Sequence, residues 1–160
     1  FTLYVPLYES DVRTVQSELA TFFAVFPHAT VWGNTINGAG YDLVLLGQTG
    51  SLEIDVDAVQ TRLSRPDYAP VADSLREIGV DSAAALFSTY AGSAVDLEPW
   101  TRGAPLNRDA DLRLQYLGGW GINSSLEDVI WKQMLSYRRP PFDVFRGSPA
   151  TLQDLVARMR

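Results

Sequence analysis

Two apolar, β-favouring runs, Ala29-Thr30-Val31-Trp32 and Tyr41-Asp42-Leu43-Val44-Leu45-Leu46, stand only eight residues apart, from Gly33 to Gly40. The intervening residues are turn formers and too few for a helical crossover, so the two runs are expected to pair as an antiparallel hairpin. Upstream, Thr2 to Leu7 is a third β-favouring run, closed by Pro6 as a strand would be where its carboxyl end meets a loop. A helix signal follows it. Ser10 and Asp11 are candidate caps, Val12, Val15, Leu19, Phe22, Phe23 and Phe26 recur at offsets of three and four, and Pro27 stops the pattern. Strands joined through a helix are expected to run parallel, so the first and second runs should share a direction and the third should oppose both.

From Ile54 onward the pattern becomes helical, with helices expected over Asp55 to Leu63, Pro70 to Ile78 and Ser82 to Tyr90, broken by Arg65-Pro66 and Gly79. Gly92 to Gly121, holding Pro99 and Pro105, is expected to be mostly loop. Two more helices are expected, Ser125 to Tyr137 behind a Ser124/Ser125 cap and Pro149 to Met159 behind Ser148, separated by Arg138-Arg139-Pro140-Pro141. The fold class read from this order is α/β: the closing part of a Rossmann-like, methyltransferase-type sheet ending in an antiparallel hairpin, followed by an α-helical tail. The division expected is residues 1–50 for the α/β part and 51–160 for the tail.

Charge and composition narrow the function. A net charge of −6 repels phosphate backbones, and the basic residues are scattered apart from Arg138 and Arg139, so nucleic acid is not an expected partner. With no cysteine, the chain offers no disulfide, thiolate metal site or cysteine nucleophile. No apolar run reaches the roughly 18 to 20 residues that cross a bilayer, so this segment is expected to make no membrane contact and to be cytoplasmic. The chain opens Phe1-Thr2-Leu3-Tyr4, as the middle of a strand would, and is expected to be cut from a larger protein.

Chemistry-bearing motifs are few. His28, the single histidine, lies in Phe26-Pro27-His28-Ala29 and reads as a turn residue, with no second His or Cys for a metal shell and no Gly-x-Ser-x-Gly serine to activate. Gly38-Ala39-Gly40 reads as hairpin turn, while Gly118-Gly119-Trp120-Gly121 reads as a loop around an aromatic; neither has GxGxxG spacing between strand and helix. Asn123-Ser124-Ser125 matches a glycosylation sequon and reads more simply as a helix cap. The cluster with most chemical content is Tyr8 and Glu9, at the carboxyl end of the first strand, with Trp32 and Asn34 at the end of the second. Ligands of open α/β sheets bind outside the carboxyl ends of strands, where these four would supply a phenol, a carboxylate, an indole and an amide. Such a set suits an organic cation. The competing reading makes Glu9 a helix-start carboxylate facing the dipole and Trp32 a core residue.

Val5-Pro6-Leu7-Tyr8-Glu9, the run Thr21 to Trp32, and Tyr41-Asp42-Leu43-Val44-Leu45-Leu46-Gly47 together resemble the end of the catalytic domain in bacterial spermidine-synthase-like proteins, in the subgroup where that domain follows a multi-helix membrane region. Asn107-Arg108-Asp109-Ala110-Asp111, with Tyr116 after it, resembles the Asn-x-Asp...Tyr element downstream of that sheet. Leu3 stands where the family usually has Gln, and Trp32-Gly33-Asn34 replaces its Tyr-Pro-Gly stretch. The resemblance implies a transferase of polyamine biosynthesis: an amine such as putrescine attacks the carbon beside the sulfonium of decarboxylated S-adenosylmethionine and releases methylthioadenosine. It also implies that the cofactor loop, ribose-binding acid and catalytic Asp belong to a preceding half of a parent protein that can be membrane-attached. On that reading this chain holds no catalytic or cofactor-binding residue and no metal, contributes Tyr8, Glu9, Trp32 and Asn34 to the amine side, and is inactive alone.

A different expectation is a non-catalytic binding or regulatory module acting through residues 51–160. A third is a homo-oligomer, or pairing with the missing amino-terminal half, through an open sheet edge.

Overall fold

A computed structural model describes residues 1–36 and 39–159. The elements are β1 (Thr2–Pro6), α1 (Val12–Val25), β2 (Thr30–Ile36), β3 (Ala39–Leu46), β4 (Ile54–Asp55), α2 (Val56–Leu63), α3 (Ala69–Glu77), α4 (Ala83–Phe87), β5 (Tyr90–Ser93), α5 (Ala94–Thr101), α6 (Arg113–Leu117), α7 (Glu127–Leu135), β6 (Phe145–Arg146) and α8 (Pro149–Arg158). They form two compact units: Phe1–Gly50 with Ala91–Arg139, and Ser51–Tyr90 with Pro140–Arg160. The chain is α/β, and residues 51–160 contribute to both units.

In the first unit a four-stranded sheet has the order β1-β3-β2-β5. β3 runs antiparallel to both β1 and β2, so β1 and β2 share a direction and β3 is inserted between them. The β2–β3 ladder continues to Ile36↔Ala39 with a register shift at Asn34/Thr35, which corrects the eight-residue turn expected from Gly33 to Gly40. Gly33 and Gly40 are strand residues whose missing side chains make room for Trp131: a Cβ on Gly40 would lie 2.5 Å from the Trp131 Cβ, and one on Gly33 would enter the indole ring. Asn37 and Gly38 lie outside the described residues.

Strand alternation sends Val5, Leu43, Leu45 and Val31 to one face, where all are fully buried. α1 covers them. Asp11 caps that helix in extended backbone geometry, accepting from Arg13 N at 2.8 Å and Thr14 N at 3.1 Å, and Val15, Leu19 and Phe22 enter the core as their spacing predicts. Each such side chain stabilises the fold by about 1.5 to 3 kcal/mol. α7 contributes Ile130 and Met134 to the same cluster, and α5 contributes Ala94, Leu97 and Trp100.

α5 corrects the expectation of loop over Gly92 to Gly121. Ser93 and Asp96 form a reciprocal capping box, each side chain accepting from the other's backbone N–H at 3.1 Å, and Asp96 also accepts from Arg139 Nε at 2.6 Å. This cap, with burial of Leu97 and Trp100, outweighs the amide donor lost at Pro99. Tyr90, expected to end α4, instead begins β5, and α4 stops at Phe87.

The second unit is mainly helical. Ile54 and Asp55 pair in parallel with Phe145 and Arg146, and Asp55 caps α2. The Asp57 carboxylate accepts from Ser148 N and Thr151 Oγ1, both at 2.5 Å, holding the start of α8 against α2. Those hydrogen bonds keep the Asp57 carboxyl below the usual carboxylate range. Tyr90 and Phe87 pack on Phe145, at ring-centre distances of 5.5 and 5.4 Å. Among the described residues, no helix is long and apolar enough to cross a membrane.

Candidate functional site

Because β1 and β2 run the same way, their carboxyl ends meet at one edge, where β3 begins. The register pairs Pro6 with Asp42 and Asn34 with Asp42, placing Tyr4, Pro6, Asn34, Asp42 and Val44 on the face opposite the α1 core. Tyr4 is 51% exposed on that face, while Asp42 is 8% exposed. Asn34 Nδ2 points at Asp42 Oδ2 across 3.5 Å, a long contact.

Tyr8 joins this set from the turn after β1. Its ring stacks on Tyr41 at 4.7 Å between centres, and its hydroxyl lies 3.3 Å from that of Tyr4. The hydrogen bond with Tyr8, burial and the negative charge of Asp42 all push the Tyr4 phenol upward from its ordinary value. Three phenols and a shielded carboxylate therefore gather at the edge. They present aromatic faces and negative potential, and the geometry accommodates a cation better than an anion.

Of the four residues expected here, Tyr8 and Asn34 enter the cluster. Glu9 lies beside it in left-handed backbone conformation at φ 55°, with an exposed side chain. Asp11, not Glu9, caps α1. Trp32 shares the sheet face but is half-buried, and its indole donates to Thr30 Oγ1 at 3.0 Å. Tyr4, Tyr41 and Asp42 were not anticipated as site residues. Period-two alternation alone could have set Asp42 apart from Leu43 and Leu45, but only the register brings it opposite Asn34 and Pro6.

The downstream motifs resolve into braces. Asn107 donates its N–H to Thr21 Oγ1 at 2.8 Å and accepts from Leu114 N at 2.9 Å, fixing the start of α6 near α1. Tyr116 is exposed. Ser124 does not cap α7, whose capping residue is Leu126; its hydroxyl instead reaches the backbone oxygens of Ser10, at 2.9 Å, and Gly121, at 2.6 Å. His28 occupies a turn. On α1, burial pushes the half-buried Glu18 carboxyl up to about 7. Among the described residues, no group of three or more His, Asp or Glu side chains is placed to hold a metal ion.

Comparison with protein-family models, with curated proteins and with solved structures finds no match for this chain.

Proposed function

We propose that this chain is the carboxy-terminal portion of a spermidine-synthase-like aminopropyltransferase and supplies one wall of its amine site. The observation that carries the reading is the edge where β1 and β2 end together, with the Tyr8–Tyr41 stack, Tyr4 and Asp42 around it. The insertion of β3 antiparallel between two like-directed strands is the arrangement expected for the closing part of a methyltransferase-type sheet, and it supports the same reading.

In the reaction an amine nitrogen forms a bond to the aminopropyl carbon of decarboxylated S-adenosylmethionine as the carbon–sulfur bond breaks, methylthioadenosine leaves, and the attacking nitrogen releases a proton. That co-substrate supplies the electrophilic carbon. What this chain's residues do is bind and orient the nucleophile. A diamine carries an ammonium at the end that does not react, and Asp42 with Glu9 would attract it while Tyr8 and Tyr41 pack along the methylene chain. Holding one charge at this edge fixes how far the other nitrogen reaches.

Two measurements test this. Incubating the longer parent protein with decarboxylated S-adenosylmethionine and putrescine should yield methylthioadenosine, and Asp42→Asn should raise KM for the diamine about tenfold. No methylthioadenosine from the parent rejects the transferase assignment.

A second reading rests on the second unit, where Phe142, Pro149, Leu152, Val156 and Ala157 line an apolar groove of about 460 Å³. There the chain would act as a binding module through its helices. Leu152→Asp should then abolish assembly of the parent while leaving product formation unchanged; unchanged assembly removes this reading.

A further inference from the structure

The loop Gly118-Gly119-Trp120-Gly121 meets the turn after β1 at Gly121. Gly121 packs on the turn after β1 so closely that a Cβ there would lie 2.5 Å from the Glu9 carbonyl oxygen and 2.6 Å from Ser10 Cα. Only glycine allows that approach. The Ser124 hydroxyl, donating to the Ser10 carbonyl at 2.9 Å, adds a second tie to the same turn three residues after Gly121. The loop is thus anchored one residue from Tyr8, and Trp120 is the residue immediately before the anchor.

Trp120 is 80% exposed, whereas Trp100 is buried and Trp131 packs into the glycine gap of the sheet. An indole left in water contributes little to folding, and its apolar body with one N–H donor is suited to contact with a ligand. Trp120 directly precedes Gly121, whose backbone rests on Glu9 and Ser10, and Tyr8 in the same turn joins the Tyr4–Tyr41–Asp42 cluster, so a ligand at this turn meets negative charge and aromatic groups together. Indole is the strongest cation-binding face among the side chains. Gly118 and Gly119 give Trp120 backbone freedom on its amino side to close on a ligand while the Gly121 anchor stays in place.

We propose that Trp120 is a specificity-determining residue of this site, an aromatic wall that closes over the ammonium end of a primary diamine held by Tyr8 and the neighbouring carboxylates. The inference rests on the amine-site reading above and adds to it which residue selects charged, methylene-linked amines. A neutral chain of the same length would leave the carboxylates unpaired and gain nothing from the indole quadrupole.

The test follows indole and tyrosine resonances of the full 160-residue chain during titration with putrescine, using 1,4-butanediol as the neutral control. Putrescine should shift the Trp120 indole signal, assigned through Trp120→Phe, together with Tyr8, and butanediol should shift neither. Trp120→Ala should weaken putrescine binding about fivefold and Trp120→Phe less, as expected for loss or reduction of a cation–aromatic contact. Gly121→Ala, which displaces the anchor without removing the indole, should weaken binding as well. If putrescine moves Tyr8 and Asn34 but leaves Trp120 unmoved and Trp120→Ala binds equally well, the role of Trp120 is overturned and the amine site stands. If putrescine moves none of these signals, both fall.

Discussion

The two units reach stability by different means. In the first, a long alternating sheet offers a continuous apolar face to α1, α5 and α7, and its core residues Val5, Leu19, Leu43, Leu45 and Ile130 are fully buried. In the second, strand pairing is limited to two residues on each side, and caps and carboxylate brackets organise the helices: Asp55 on α2, Ser82 on α4, Ser148 on α8, and Asp57 linking α2 to α8. Apolar burial scales with the area removed from water, whereas a cap acts over one or two hydrogen bonds whose geometry must be satisfied. The first unit thus carries the edge cluster on a continuously packed sheet, and the second should respond more to polar substitutions.

Leu43→Ala should break this contrast most visibly. It removes a fully buried side chain from the central strand and should destabilise the first unit by about 3 kcal/mol, read from chemical denaturation followed by Trp131 fluorescence. A loss below about 1 kcal/mol would mean that the sheet face is not the core. Ser148→Ala should cost about 1 kcal/mol by removing the α8 cap, with faster amide exchange confined to the start of α8. Exchange that rises equally across β1 to β3 would contradict the division into separately organised units.

The smallest expected effect sharpens the first unit's side of the comparison. With its folded pKa raised to about 7, Glu18 contributes stability that is fully present below its ordinary value of 4.5 and is lost as pH rises through about 7. Glu18→Gln should therefore gain stability relative to the parent chain as pH rises from 4.5 to 7, and the difference should level off above that window. Thermal unfolding of the two proteins across this range measures it; a constant difference would show that Glu18 is not desolvated.

Local signals were readable where they acted within one turn or one strand. Asp11 before Val12, Ser148 before Pro149, and the spacing of Val15, Leu19 and Phe22 announced their elements because caps and apolar periodicity are short-range. α5 was hidden by Pro99, although Ser93-x-x-Asp96 carried a capping-box signature. β4 and β6 were invisible because a two-residue strand has no period. At the candidate site, the register sets Asn34 opposite Asp42, and Tyr8 stacks on Tyr41, while no local signal announced the bond from Trp32 to Thr30.

The sequence by itself determined that the chain is α/β, that β2 and β3 oppose each other, and that α1 packs an apolar face on the sheet, since these follow from periodicity, caps and connection length. Only the tertiary structure decided that β3 lies between β1 and β2, that residues 91–139 return to the first unit, and that Tyr4, Tyr41 and Asp42 stand beside Tyr8. The physical reason is register. Pairing Pro6 with Asp42, or resting Gly121 on Glu9, joins residues far apart in the chain, and what selects those partners is the fit of whole faces, not the preference of any local segment.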